Sequence, residues 1–192
     1  VVVVTTWTIA GTLTVEPALS RPDLLAEPVA KALAALCGST APDTEAVGVA
    51  VIDPELADTA AFCEAYGSPL SASANCVVVS GKRAGEVKFG AALVLATTRA
   101  DVNGVIKKRL DVRKASFAPM AEAVELTGMA YGGITPVGLP SDWPLLIDKA
   151  VADAPELVIG SGIRGSKLLI SGSALASLPG AEVIEGLAKV VE

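Results

Sequence analysis

Tyr131-Gly132-Gly133-Ile134-Thr135-Pro136-Val137-Gly138-Leu139-Pro140 carries three glycines and two prolines in ten residues, between segments rich in Val, Leu and Ala. Glycine lets another molecule approach the main chain, and proline fixes the path of the loop. Backbone N–H groups presented in this way bind a carboxylate, an ester carbonyl or a developing oxyanion. A tight helix-to-strand connection has the same composition, so the neighbours decide between the two. Downstream, Leu157 to Ile159 and Leu168 to Ile170 read as strands that pair around Gly160-Ser161-Gly162-Ile163-Arg164-Gly165, a second glycine loop.

Working outward, short strands alternate with helices. Val1 to Val15 reads as one or two strands turning near Gly11. Glu27-Pro28 opens a helix that runs through Leu33 and Leu36 to Gly38. A polar joint follows around Asp43-Thr44, then a strand from Ala46 to Ile52. Asp53-Pro54-Glu55 reads as the start of a helix through Phe62 and Cys63 to Tyr66, stopped by Gly67. Ala74 to Ser80 and Val87 to Thr97 are strands joined by a turn at Gly81 to Gly85. Asp101 caps a basic helix to Leu110, Arg113 to Phe117 is a short strand, and Pro119 begins a helix ending at Gly128. Leu145 to Ile147 is a strand, Asp148 to Ala152 a short helix, Ser173 to Leu178 a last helical turn, and Val183-Ile184 a last apolar segment. Hairpin-like pairs mixed with helices predict an α+β fold, with a curved, mixed and mostly antiparallel sheet flanked by helices. No internal repeat or low-complexity linker divides the 192 residues, which reads as one domain with an N-terminal strand extension over about 1–20.

Composition excludes several chemistries. Histidine is absent, which removes Ser-His and Cys-His pairs and any His-ligated metal site. Cys37, Cys63 and Cys76 have no metal-type spacing and fit a reducing cytoplasm better than a disulfide framework. The sequence therefore predicts no metal and no cofactor, and a cytoplasmic protein with no membrane partner, since no apolar run is long enough to span a bilayer. Aromatics are only 4 % of the chain, so the core is built from Ala, Val and Leu. The formal net charge is −6, but residues 82–114 hold nine basic groups against three acidic ones. Within that segment Lys82, Arg83, Lys107, Lys108, Arg109, Arg113 and Lys114 are candidates for a phosphate-facing patch, with a solvated surface as the alternative.

The order of these motifs carries a resemblance. The helix Thr59 to Tyr66, the strand Ala74-Asn75-Cys76-Val77-Val78-Val79, Ala100-Asp101-Val102-Asn103, the helix from Ala121 to Gly128 and the two glycine loops resemble the YbaK-type prolyl-tRNA-editing family. These proteins are free-standing relatives of the insertion domain of bacterial prolyl-tRNA synthetase. The similarity runs from about Asp53 to Leu169, and extends to about Glu27 and residue 190 in outline. It implies hydrolysis, in trans, of the ester joining a mischarged amino acid to the tRNA 3′ end, without metal or histidine. It implies as partners the tRNA acceptor end and an aminoacyl-tRNA synthetase, for a monomer or homodimer. It places Gly132 and Gly133 as backbone donors, with Ile134, Thr135, Pro136, Gly160, Gly162 and Arg164 around the aminoacyl group. Asn75 stands where this family usually has a lysine, the family's best-known functional side chain.

That replacement leaves two functional classes. One is a deacylase for a small aminoacyl group, as an Ala- and Val-rich lining suggests. The other is a non-catalytic aminoacyl- or tRNA-binding module of the same fold. Cys76 is a candidate nucleophile without an evident base, or a small buried strand residue. Arg164 either meets a phosphate or carboxylate or braces its hairpin through carbonyls. Thr135 either donates to an ester or caps local backbone.

Overall fold

The computed structural model describes residues 6–38 and 47–191. Of the one or two strands expected over Val1 to Val15, residues 1–5 lie outside the described residues, and residues 6–14 are turns and irregular chain that lead into a strand only at Val15; the polar joint at Asp43-Thr44 also lies outside the described residues. In chain order the elements are β1 (Val15–Pro17), α1 (Glu27–Gly38), β2 (Gly48–Val51), α2 (Thr59–Tyr66), β3 (Ala74–Arg83), β4 (Glu86–Leu95) and β5 (Thr98–Ala100). There follow α3 (Lys107–Leu110), β6 (Lys114–Phe117), α4 (Met120–Thr127), β7 (Leu145–Asp148), α5 (Lys149–Ala152), β8 (Leu157–Gly160), β9 (Ser166–Ile170), α6 (Gly172–Ala176), β10 (Ala181–Ile184) and β11 (Ala188–Val190).

The strands form a mixed, mostly antiparallel arrangement, as the α+β reading expects. It is divided into a four-stranded sheet, β1-β2-β9-β8, and a five-stranded sheet, β10-β7-β4-β3-β6. The first is antiparallel throughout. In the second, β7 runs parallel to both β4 and β10, while β3 is antiparallel to β4 and β6. A parallel bridge between Ser73 and Val158 joins the sheets at the start of β3, and β5 with β11 makes a separate ribbon. The candidate site lies at that junction.

Packing follows the sequence pattern. Helix α1 turns Val29, Leu33 and Leu36, spaced four and three apart, onto a core shared with Leu93 and Ile147 of one sheet and Leu157, Leu168 and Ile170 of the other. Side chains alternate along a strand, so Leu169 of β9 leaves that core for the opposite face. There it meets Ala50, Ile52, Val158 and Phe62, with Trp7 and Leu13 of the N-terminal segment closing the edge. The N-terminal residues therefore extend the four-stranded sheet through β1, whose register sets Val15 opposite Ala50.

The helix expected from Asp53 to Tyr66 is two pieces. The Asp53 carboxylate accepts from the Glu55 N–H at 3.0 Å and caps only a 3-10 turn, Pro54–Leu56. The chain then bends, and the Asp58 carboxylate accepts from the Ala60 N–H at 3.2 Å to start α2 afresh. Two Asx caps five residues apart offer the backbone two competing starts, and tertiary packing of Phe62 selects the second. The basic helix behind Asp101 likewise begins with a wide π-type turn, Val102–Ile106, capped by the Asp101 carboxylate at the Gly104 and Val105 N–H groups.

Candidate functional site

A cavity of about 320 Å³ opens between α2, the start of β3, the end of β8 and the first glycine loop. Asp58, Asn75, Tyr131 and Gly132 form its exposed mouth. Ala57, Phe62, Ser73, Ala74, Val158, Ile159 and Lys167 form its buried floor. Cys76, Val77, Thr59, Ile134 and Gly160 complete the walls.

Of the residues expected at the site, Asn75, Gly132, Ile134 and Gly160 come together around this cavity. The Asn75 carbonyl oxygen accepts from the Thr59 hydroxyl at 2.9 Å, which fixes the side chain against the start of α2. Gly132 has φ +82°, a left-handed conformation that favours glycine, and an added Cβ there would lie 2.5 Å from the Arg164 guanidinium. Its N–H makes no hydrogen bond to another described residue. Gly133 differs: its N–H donates to the Ala130 carbonyl at 2.9 Å, and its carbonyl accepts from the Gly162 N–H at 2.7 Å. The expectation that both glycines present free donors is corrected on this point, because a turn already holds the Gly133 amide.

The two glycine loops are pressed together by backbone contact. A Cβ on Gly160 would fall 2.6 Å from the Gly133 oxygen and 2.9 Å from the Ile134 oxygen. Ser161 ties its own loop, its hydroxyl donating to the Ser166 carbonyl at 3.1 Å, while the Ser166 hydroxyl reaches the Leu24 carbonyl at 2.6 Å. Arg164 joins two loops at once, donating to the Tyr131 carbonyl at 3.2 Å and the Pro54 carbonyl at 3.0 Å. Of its two readings, the bracing one describes these contacts. Gly162 lies behind the cavity against Ala26 and Val29. Thr135 is fully buried, its N–H directed at the Met129 sulfur at 3.5 Å and its hydroxyl without a hydrogen-bond partner among the described residues. Pro136 faces a different, more apolar cavity with Leu36, Leu139 and Trp143. Thr135, Pro136 and Gly162 therefore shape the loop from behind and do not line the cavity.

Lys167 is the side chain that sequence reading missed. It is only 7 % exposed. Its ammonium donates to the Ala57 carbonyl at 2.9 Å and stands 5.3 Å above the Phe62 ring centre. No carboxylate lies within ion-pair distance of it among the described residues. Burial pushes the ammonium below the ordinary lysine value, Arg164 adding to the effect and Cys63 and Asp58 opposing it. The signal was present in the sequence: a lone lysine heads the apolar run Leu168-Leu169-Ile170 directly after a glycine loop. The break before α2 frees the Ala57 carbonyl that receives it.

Cys76 is a pocket wall whose thiol burial pushes up to about 12. It remains protonated near neutrality and its thiol makes no hydrogen bond to a base among the described residues, so the nucleophile reading has no support in the geometry. Among the described residues no group of three or more Cys, Asp or Glu side chains is arranged to hold a metal.

The basic residues gather elsewhere. Lys82 and Lys114 face each other across β3 and β6, and β3 carries Asn75 at its opposite end, roughly 23 Å away at about 3.3 Å per residue. Arg83 pairs with Asp111, and Arg109 with Glu182. Lys82, Lys107, Lys108, Arg113 and Lys114 make no ion pair among the described residues. The patch and the cavity are thus two ends of one strand.

The chain matches the aminoacyl-tRNA editing domain model over residues 53–178, and it belongs to that family. Its fold is that of a candidate trans-editing enzyme for prolyl-tRNA synthetase, at TM-score 0.68 and 24% identity over 83% of this chain and 94% of the other. A hypothetical protein, APE2540, superposes at TM-score 0.70 and 22% identity, over 85% of this chain and all of its own. No curated protein matches the chain in sequence. Family membership supports a deacylase-type role, and no helix among the described residues is long and apolar enough to cross a membrane.

Proposed function

We propose that the protein hydrolyses, in trans, the ester of a small aminoacyl group at the 3′ end of a mischarged tRNA. The observation that carries this reading is the unshared Gly132 N–H at the mouth of a cavity too small for a nucleotide stack. At about 320 Å³ the cavity sits at the lower end of ligand sites, which run to about 1,000 Å³. The aminoacyl group enters first and the terminal ribose stays at the mouth. The ester carbonyl then accepts from the Gly132 N–H, which strengthens as negative charge develops on that oxygen. Water adds to the carbonyl carbon, the bond to the ribose oxygen breaks, and that oxygen takes up a proton through the neighbouring ribose hydroxyl. Side chains of this protein hold and orient, and none forms a covalent intermediate. Lys82, Lys114, Arg113, Lys107 and Lys108 meet phosphates of the acceptor arm, while the single strand reaches along β3 to the cavity.

The experiment is a deacylation time course with alanyl-, cysteinyl-, seryl- and threonyl-esters on proline and cognate tRNAs. A rate on one member that is lost in Gly132→Ala supports the proposal. A flat panel with tRNA binding retained favours the second reading, a non-catalytic binding module. That reading draws on Asn75, whose amide carries no charge and is tied to Thr59. If Asn75→Lys creates activity where the native protein has none, the module reading stands.

A further inference from the structure

The floor of the cavity holds a cation with no ion-pair partner among the described residues. A lysine ammonium has three N–H donors. One of Lys167 goes to the Ala57 carbonyl, and the Phe62 ring takes a second face of the charge. The remaining capacity borders the cavity that Lys167 lines. Asp58, the acidic residue of the cavity lining, caps α2 through the Ala60 N–H and makes no ion pair with Lys167, although its charge favours the ammonium from a distance. Buried charges in proteins are normally paired, because removal of an ion from water is strongly unfavourable unless an opposite charge or several hydrogen bonds offset it. Lys167 has one carbonyl. An apolar residue would fill the position beside Leu169 and Phe62 with no such cost, so the ammonium answers to something that enters the cavity.

Depth says which part of the substrate arrives there. Gly132 and Asn75 are exposed at the mouth, whereas Lys167, Phe62, Ser73 and Val158 are buried at the floor. With the ester carbonyl at Gly132, as the proposed function has it, the group that reaches the floor is the amino-acid side chain. We infer that Lys167 reads an oxygen on that side chain, so that the pocket selects hydroxyl- or carboxylate-bearing aminoacyl groups over purely apolar ones of equal size. The inference rests on the editing-pocket reading and adds the class of amino acid. The role differs from that of a lysine at the Asn75 position, since Asn75 lies at the mouth and Lys167 enters from β9.

The test uses stable amides in place of the ester: 3′-alanylamino-, 3′-serylamino- and 3′-aspartylamino-adenosine, titrated calorimetrically into the intact protein. The native protein is expected to bind the seryl or aspartyl compound roughly tenfold to a hundredfold more tightly than the alanyl one. The seryl and aspartyl arms separate a hydroxyl from a carboxylate ligand. In Lys167→Met the ratio of seryl or aspartyl affinity to alanyl affinity falls towards one. In parallel, the Nζ resonance of Lys167 in protein carrying ¹⁵N-lysine shifts with the oxygen-bearing compound and not with the alanyl one. This second readout needs no variant, so it decides the matter if Lys167→Met does not fold. Equal affinity for all three compounds in the native protein overturns the inference alone. A Met variant that weakens all three equally does the same, since it assigns Lys167 to the scaffold or the ester. No binding of any compound overturns the editing-pocket reading and this inference with it.

Discussion

Replacing Gly160 by alanine tests whether the two glycine loops owe their close approach to one missing methyl group. The added Cβ would lie 2.6 Å from the Gly133 oxygen, 2.9 Å from the Ile134 oxygen and 3.0 Å from the Gly133 carbonyl carbon. Ordinary contact begins at 3.4 Å, and all three atoms are backbone, so no rotamer change relieves them. The first loop must retreat by about 0.8 Å, which stretches the 2.7 Å bond from the Gly162 N–H to the Gly133 oxygen. Overpacking of this kind costs about 1–3 kcal/mol. For a chain of this size about 2–4 °C of melting temperature goes with each kcal/mol, so Tm falls by about 2–12 °C. Gly165→Ala is the control within the same loop: its Cβ would meet only a Pro54 side-chain carbon at 3.9 Å, and the substitution is neutral or slightly stabilising. Differential scanning calorimetry of the two variants gives the answer. If Gly160→Ala melts within about 1 °C of the native protein, the loops are not in the contact described and the argument fails. If it melts lower as expected, displacement of the cavity mouth lowers the proposed deacylation by up to about a hundredfold, because Gly132 rides on the displaced loop.

Four further outcomes are expected. With its thiol raised to about 12 by burial, Cys76 reacts with iodoacetamide at pH 8 on the order of a thousandfold more slowly in the folded protein than in denatured chain, read by mass spectrometry. The unfolded thiol ionises near pH 9 and the folded one near 12, so the contribution of Cys76 to stability is intact below pH 9 and is lost as the pH rises through that window, a dependence that Cys76→Ser abolishes. Arg164→Ala loses both carbonyl bonds and costs about 1–3 kcal/mol in urea denaturation, and Arg164→Lys fails to restore it because one ammonium does not span the Tyr131 and Pro54 carbonyls; full rescue by lysine would contradict the bracing role. The double change Lys82→Glu and Lys114→Glu weakens tRNA binding and lowers the slope of log K against log salt by about 0.7–0.9 for each phosphate contact removed; an unchanged slope in filter binding removes the patch from the interface.

The local code was largely legible along the chain. Helix α1 begins at Glu27-Pro28 and ends at Gly38, α4 is bounded by Pro119 and Gly128, and β8 pairs with β9 around the second glycine loop, because caps, prolines and apolar runs act over a few residues. The family was legible too, since the order of its loops is a linear property. Other features were settled only by distant contacts. Asp53 and Asp58 are both good caps, and only the burial of Phe62 against Val158 and Leu169 selects the helix start at Thr59. Gly132 and Gly133 are equivalent in sequence, yet Ala130 takes one amide and leaves the other. Residues 82–114 read as one basic block, whereas the ion pairs with Asp111 and Glu182 and the length of β3 divide it and set it far from the cavity. Lys167 shows the difference most plainly. A charged residue at the head of an apolar strand can be read directly from the chain. That the charge sits on the floor of the site, beside Ala57 and Phe62, follows from β9 pairing with β2 and from a break in a helix 110 residues earlier. Burial and pairing are properties of the space around a residue, and that space is assembled from parts of the chain that carry no mark of one another.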